Sequence, residues 1–408
     1  MNTRFPDNDR NPAPTRGKEI KMTDSSKKLT QYTLSALCLT GMSLFHQAAQ
    51  AEAEAKVDSY KAWPMLYGRE SAPSDDVTMT MGVEMQPTFT LTDSKNAASD
   101  KSEFSFQRLR WYMKGSITKD VDYLVVTEWA RNGVTSAANG SARVFRASAT
   151  FRDVLDVTNI QVGSVIVPFG HAFYVPAGIA PWVNYTRMTS QLYGCGSIGC
   201  TADGGEVVTN IFKTGIMAFN QVNLGSDSSL TYTAGVYNST GVKQQDEGDQ
   251  KDFNGSLEFH KGSIWAHYGL RLGSAQINGG PELDRERHAF VLRYNDFAKD
   301  KWWAWGEVMT GKDEALGGAA DLKAKGYELS LGYKLTPKWE AVARYSEYDP
   351  NTSLSSNTFQ ETSLGLTQRL DRGIRLQYQA DRIRNDNNTI EDNIFTVRVT
   401  VPFAKKIM

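Results

Sequence analysis

The sequence predicts an all-β fold, a transmembrane antiparallel β-barrel of about 16 strands, and three observations lead to it. Segments of about ten residues alternate between apolar and polar side chains from Val77 almost to the C-terminus. Clusters of Gly, Asn, Asp and Ser separate these segments. The mean hydropathy is -0.44, and no apolar run approaches the roughly 20 residues that a membrane-spanning helix needs. This combination is typical of barrels that cross a membrane with strands.

The N-terminal region has the features of an export signal. A basic pair, Lys27 and Lys28, precedes an apolar stretch, which is followed by a small-x-small cleavage site that ends at Ala51. We therefore expect residues 1–51 to be a signal peptide that is cleaved on export, with Met22 as an alternative start of translation. A short buried helix is the alternative to a signal peptide. Export favours a location in the outer membrane of a Gram-negative bacterium.

A second N-terminal segment, residues 52–76, shows no periodicity. It contains Pro64, Pro73 and a polar Ser-Asp-Asp stretch. We expect it to be a periplasmic linker or N-terminal extension. The barrel is then expected to occupy residues 77–408.

Period-two alternation separates the two faces of each predicted strand. In residues 325–335, for example, Tyr327, Leu329, Leu331 and Tyr333 share one face. A tilted strand needs about 9 to 11 residues to cross a bilayer, and the segments match that length. The predicted strands are 77–91, 104–117, 121–131, 143–152, 156–167, 208–220, 229–238, 252–260, 264–272, 286–296, 301–310, 325–335, 338–348, 359–370, 374–384 and 391–403.

The last segment alternates most clearly. Phe395, Val397, Val399 and Phe403 share one face, as in a closing strand that ends on an aromatic residue. The chain departs from the usual pattern because it continues to Met408.

The positions of the charges decide which face points into the barrel. Arg or Lys on the lipid face costs about 2–4 kcal/mol at the membrane midplane, so the polar face of each segment must point inward. Basic residues outnumber acidic ones on these faces, and rings of Arg and Lys favour anions. The alternative is that the arginines pair with inward acids and only stiffen the wall. The basic residues predicted to line the pore and contact anions are Arg108, Arg110, Lys114, Arg146, Arg152, Arg271, Arg293, Arg344 and Arg375.

A long segment between two predicted strands, about residues 168–206, is the candidate for the narrowest part of the pore. Loops of this length without their own structure are uncommon and usually functional. We expect it to fold into the barrel as a constriction loop, with His171, Tyr174 and Arg187 near the solute path. The alternative is a loop outside the barrel.

Two cysteines remain after the signal peptide, Cys195 and Cys200, within a Gly-rich segment of the same loop. In an exported protein, two cysteines this close favour a disulfide that closes a tight turn. No further Cys or His lies near enough in sequence to suggest a metal site.

Other functions find little support in the sequence. No motif for a cofactor, nucleotide or metal appears, and the slightly acidic charge (net -1) argues against binding to nucleic acid. We expect no enzymatic activity, because no nucleophile stands at a recognisable spacing from a histidine. An outer-membrane hydrolase is therefore a minor alternative. A barrel that sheathes an exported redox partner is the other, although no C-x-x-C-H motif for haem is present.

Two short segments resemble the phosphate-selective porin O and P family. The first runs from Phe106 to Gly115 (FQRLRWYMKG), followed by Lys119-Asp120 and Tyr123, and the second from Val162 to Gly170 (VGSVIVPFG). The resemblance covers about residues 77–403. It implies a 16-stranded, commonly trimeric channel with an arginine-lined lumen.

The resemblance does not extend to a dense basic array in the constriction loop. Arg187 is the one basic residue between Pro168 and Glu206. The sequence therefore predicts a passive channel for small anionic or polar solutes, surrounded by outer-membrane lipid, in which phosphate or other oxyanions are possible solutes.

Overall fold

A computed structural model describes residues 77–95, 100–130, 143–154, 158–172, 175, 178–194, 211–239, 251–276, 282–315, 320–386 and 389–407. The predicted signal peptide and linker, Tyr174, and the two cysteines lie outside these residues.

The structure is a closed barrel of 16 antiparallel strands, in which each strand pairs with its neighbours in sequence and β1 pairs with β16. The predicted fold class is therefore confirmed. The strands are β1 (Thr80–Ser94), β2 (Lys101–Thr118), β3 (Val121–Glu128), β4 (Arg143–Val154), β5 (Thr158–Ile166), β6 (Phe212–Asn223), β7 (Ser228–Asn238), β8 (Lys251–Lys261), β9 (Ile264–Gln276), β10 (Glu282–Tyr294), β11 (Trp302–Asp313), β12 (Leu322–Lys334), β13 (Trp339–Asp349), β14 (Phe359–Arg369), β15 (Arg375–Asn385) and β16 (Glu391–Lys406).

The outer surface of the barrel is apolar, as the alternation requires. On β12, Tyr327, Leu329, Leu331 and Tyr333 are exposed, whereas the residues between them are buried. Aromatic residues stand at the end of this surface where the strand connections are short, as in the stacked pair Tyr294 and Trp302. Such aromatic girdles mark the edges of the hydrocarbon layer around membrane barrels.

Strand bounds differ from the prediction by up to four residues, and at β2 and β16 the strand pairing explains the difference. β2 begins at Lys101, and its register against β1 shifts between Gln86 and Pro87 so that Gln107 is an extra residue. This bulge keeps Phe104 and Phe106 on the exposed outer face, which strict alternation from Arg108 would not allow. β16 continues past Phe403 to Lys406 because those residues still pair with the start of β1.

The chain after β5 turns into the interior of the barrel. Phe169 is fully buried against Tyr193, with ring centroids 5.5 Å apart. Further along, the short helix α1 (Arg187–Thr189) continues as one π-helical turn, Ser190–Gly194. The Thr186 hydroxyl caps α1 by accepting from the Thr189 backbone N–H at 3.3 Å.

An apolar core forms between this segment and the inner wall. Its members come from the end of β5 and the segment that follows it, from β6 and β7, and from the facing strands β10 to β13. They include Val165, Ile166, Val167, Phe169, Met188, Leu192, Tyr193, Met217, Phe219, Tyr237, Ala289, Met309 and Tyr348. The barrel is therefore partly filled, and the described residues 167–194 are here named the inserted segment.

Candidate functional site: the barrel lumen

Near its start, the inserted segment contacts β11. The His171 backbone N–H donates to Glu307 Oε1 at 2.9 Å, and the His171 ring meets the Trp305 ring edge to face at a centroid distance of 4.8 Å. A Cβ on Gly170 would collide with the Glu307 carboxylate, so glycine allows this close approach.

Three wall arginines then hold the segment by its backbone carbonyls, and we name Arg344, Arg375 and Arg398 the arginine clamp. Arg375 donates to Gly178 O at 2.8 Å and to Ala180 O at 3.1 Å. Arg398 donates to Trp182 O at 2.9 Å and to Val183 O at 3.1 Å, and Arg344 donates to Asn184 O at 2.9 Å. Because these donors come from β13, β15 and β16, the segment lies across the lumen from the strand that leads into it.

Acidic and amide groups of the same wall accept from the segment. Glu361 accepts from the Arg187 backbone N–H at 3.1 Å, and Glu328 accepts from the Thr186 hydroxyl at 3.0 Å. The Gln379 side-chain oxygen accepts from the Val183 backbone N–H at 2.6 Å. Buried backbone groups need such partners, so the wall supplies donors and acceptors in place of water.

Each predicted pore residue of the strands lies at an inward position, but most are buried. Arg108, Arg146, Arg152, Arg271, Arg344 and Arg375 have at most 7% of their surface exposed. Arg108 donates to the Tyr185 hydroxyl at 3.3 Å, and Arg152 pairs with Asp122. These guanidinium groups are engaged by protein in this conformation and are closed to a passing ion.

Three of the predicted basic residues on the strands remain partly exposed: Arg110, Lys114 and Arg293. Arg110 contacts Glu128 at 2.8 Å and keeps 16% of its side-chain surface exposed. Arg293 contacts Glu258 at 3.1 Å and keeps 18% exposed. In the inserted segment, the Arg187 side chain is 36% exposed and lies over the Phe359 ring, with its guanidinium carbon 4.6 Å from the ring centroid.

A buried ionic cluster on β6 and β8 to β10 was not predicted from the sequence. Asp252 contacts Lys213 Nζ at 2.5 Å, Arg285 at 3.1 Å and Arg271 at 3.2 Å, and all four side chains are at most 2% exposed. Alternation did not indicate that Lys213 points inward. The same face of β6 carries the apolar residues Met217 and Phe219, which suggests contact with lipid, but these two residues pack inside the barrel.

Within the described part of the chain, no group of three or more His, Cys, Asp or Glu side chains is arranged to hold a metal ion. Among the same residues, no helix has the length and apolar character needed to cross a membrane.

The buried His171 predicts a pH dependence of stability. Burial lowers the pKa of His171 well below its usual 6.5, and the nearby charges of Arg293 and His267 act in the same direction. Below about pH 6.5, His171 therefore binds a proton in the unfolded chain but not in the folded chain. The free energy of unfolding falls as pH falls through that value. We expect the free energy of unfolding to drop by up to about 1.4 kcal/mol per pH unit from this residue.

The measurement is the unfolding free energy between pH 7.5 and about pH 5 for the native protein and for His171→Gln. Glu307 and His267 also face His171 and are present in both proteins, so the difference between the two curves isolates His171. Parallel curves would contradict the prediction.

The fold is similar to solved outer-membrane proteins, whereas no family model and no curated protein matches the sequence. The trimer form of OmpT, an outer membrane protein of Vibrio cholerae, superposes with a TM-score of 0.54 at 9% identity, covering 81% of this chain and 100% of that one. The outer membrane channel DcaP of Acinetobacter baumannii gives 0.53 at 12% identity, covering 80% and 97%. At these identities the likeness establishes the shared fold, and the phosphate-selective family is not confirmed.

Proposed function

We propose that the protein is an outer-membrane porin that lets small solutes diffuse passively and prefers anions. The observation that carries the proposal is the combination of a closed 16-strand barrel with a segment held inside its lumen. A barrel of this size leaves an aqueous interior unless something fills it, and an inserted segment narrows that interior to a size that can discriminate solutes. The similar fold of the DcaP channel supports the same function.

The inward charges that solvent can still reach favour anions. Among the described residues, the partly exposed inward bases are Arg110, Lys114, Arg187, Arg293, Lys334 and Arg369. Several face an acid, as Arg110 faces Glu128, so the preference should be moderate. A low-dielectric wall with a surplus of one charge still concentrates the opposite ion.

Reversal potential in a salt gradient across a planar bilayer tests this proposal. We expect the native channel to pass chloride more readily than potassium, and Arg110→Glu to lower the anion-to-cation permeability ratio at least about twofold. The change places a second carboxylate beside Glu128 in the lumen. Arg108→Glu is not a suitable substitution, because Arg108 is buried and its loss would disturb the inserted segment.

Lys323→Glu is the matched control. Lys323 is an exposed residue on the outer face of β12, opposite Lys312 of β11, so its charge reversal should leave the permeability ratio nearly unchanged. Cation preference in the native channel would refute the anion proposal, and the absence of any conductance would refute the porin proposal.

A further inference from the structure

A small cavity lies between the inserted segment and the barrel wall. Its volume is about 20 Å³, room for roughly one water molecule or one monatomic ion. Its lining includes the guanidinium-bearing residues Arg108, Arg344 and Arg398, together with Glu328 and Trp182. The cavity is therefore water-sized but unusually rich in positive charge.

The positive charges around this cavity are poorly matched by acids. Arg108 and Arg398 are 7% and 1% exposed, and in the described strands and inserted segment no carboxylate oxygen lies within 4.0 Å of either guanidinium. Arg344 is 3.8 Å from Asp381, and Glu328 is already an acceptor for Trp305, Thr186 and Ser330. Burying an uncompensated charge costs several kcal/mol, so a counter-ion at this position would be stabilised.

Two of the arginines that line the cavity carry a buried N–H group without an acceptor among the residues described. Arg108 Nε and Arg344 Nε are buried and have no hydrogen-bond partner within the described part of the chain. Their terminal nitrogens are engaged, Arg108 with Gln86 and Tyr185, and Arg344 with Asn184 and Ser363. An unsatisfied buried N–H is costly and calls for an acceptor.

We propose that this cavity binds one monatomic halide ion, chloride in a natural medium, which neutralises the surplus charge and fixes the inserted segment to the wall. A tetrahedral oxyanion such as phosphate is too large for a cavity of this volume. The site lies between the inserted segment and the wall, so it is a structural ion site and does not depend on what the channel transports.

Bromide provides the direct test, because it replaces chloride and scatters anomalously. Crystals of the full barrel grown in sodium bromide should show an anomalous peak inside the cavity. The unfolding temperature should rise by about 2 °C or more when bromide replaces gluconate at constant ionic strength, because an ion that binds the folded state stabilises it. This shift should be lost in Arg108→Gln and kept in Arg293→Gln, a lumen arginine that does not line the cavity.

A cavity that holds water without anomalous signal, or a bromide effect that is unchanged in Arg108→Gln, would overturn the proposal. Should Arg108→Gln fail to fold, Arg344→Lys takes its place: lysine keeps the charge but removes the Nε–H. Loss of one hydrogen bond to an ion should weaken the apparent bromide affinity about tenfold, and an unchanged affinity would equally overturn it. Permeation is measured separately, so failure here leaves the porin proposal intact.

Discussion

Replacing Arg398 with methionine is expected to release the inserted segment from the wall and to increase the conductance of a single channel. Arg398 is 1% exposed and donates to two carbonyls of the segment, Trp182 O and Val183 O, and to the side chains of Gln107 and Gln377. Methionine preserves much of the volume but donates nothing. Trp182 O would then have to find water, and Val183 O would keep only the Gln107 side-chain amide as a donor, at 3.2 Å, so the segment should move toward the open lumen.

The expected loss in the free energy of unfolding follows from the backbone groups that Arg398→Met leaves with fewer donors. Each buried carbonyl without a donor costs about 1–3 kcal/mol, while removal of a buried charge recovers part of that cost. We expect a net loss of about 2 kcal/mol in the free energy of unfolding. Single-channel recordings should show larger and noisier currents, because the segment no longer has one fixed position.

Arg382→Met is the control for this experiment. Arg382 lies on the exposed outer face of β15, paired with Glu391 and with 59% of its side chain exposed. Surface ion pairs contribute about 0–1 kcal/mol, so stability and conductance should both stay close to the native values. An Arg398→Met channel with native conductance would show that Arg398 does not hold the segment in place.

The arginine clamp also shows which features could be predicted from the sequence and which could not. Alternation is a local property, so strand positions and inward faces could be predicted from segments such as residues 325–335. The partner of an inward arginine is not local. Arg375 and the carbonyls of Gly178 and Ala180 are about 195 residues apart in sequence. No pattern in either segment predicts that they form hydrogen bonds.

The buried ionic cluster was missed for a related physical reason. Sequence reasoning assigns an apolar face to lipid, and on β6 that rule places Met217 and Phe219 outside. The inserted segment provides a second apolar environment inside the barrel, where Met217 and Phe219 are at most 1% exposed. Lys213 shares their face and is therefore inward. Where a loop fills the lumen, alternation of apolar and polar residues still locates the strand. It no longer indicates which face of the strand points to water.

Replacing Asp252 with asparagine is expected to cause a larger loss of stability than any other single substitution proposed for this wall. One carboxylate compensates three buried cations, with Lys213 Nζ at 2.5 Å and the two arginines at 3.1 and 3.2 Å. Asparagine has nearly the same shape but no charge, so the cations would repel one another in a dry environment. Removing one partner of a buried ion pair typically costs about 3–5 kcal/mol, and three cations share this partner.

Urea unfolding of the barrel refolded into lipid vesicles measures this loss. Glu286→Gln is the control, because Glu286 pairs with His288 on the outer face with 46% of its side chain exposed. The control should change the free energy of unfolding by less than about 1 kcal/mol. A loss of similar size for Asp252→Asn would show that the cluster is not compensated by this carboxylate.

A double substitution separates charge from packing. If repulsion among the cations causes the loss, replacing Lys213 with methionine in the Asp252→Asn background removes one of them and should restore about 1–2 kcal/mol, although Lys213→Met alone is destabilising. Lys213 also donates to the Ser239 backbone carbonyl, so recovery should be partial. Additive losses from the two substitutions would instead mean that each residue acts through its own hydrogen bonds, because only a shared electrostatic interaction makes the second substitution compensate the first.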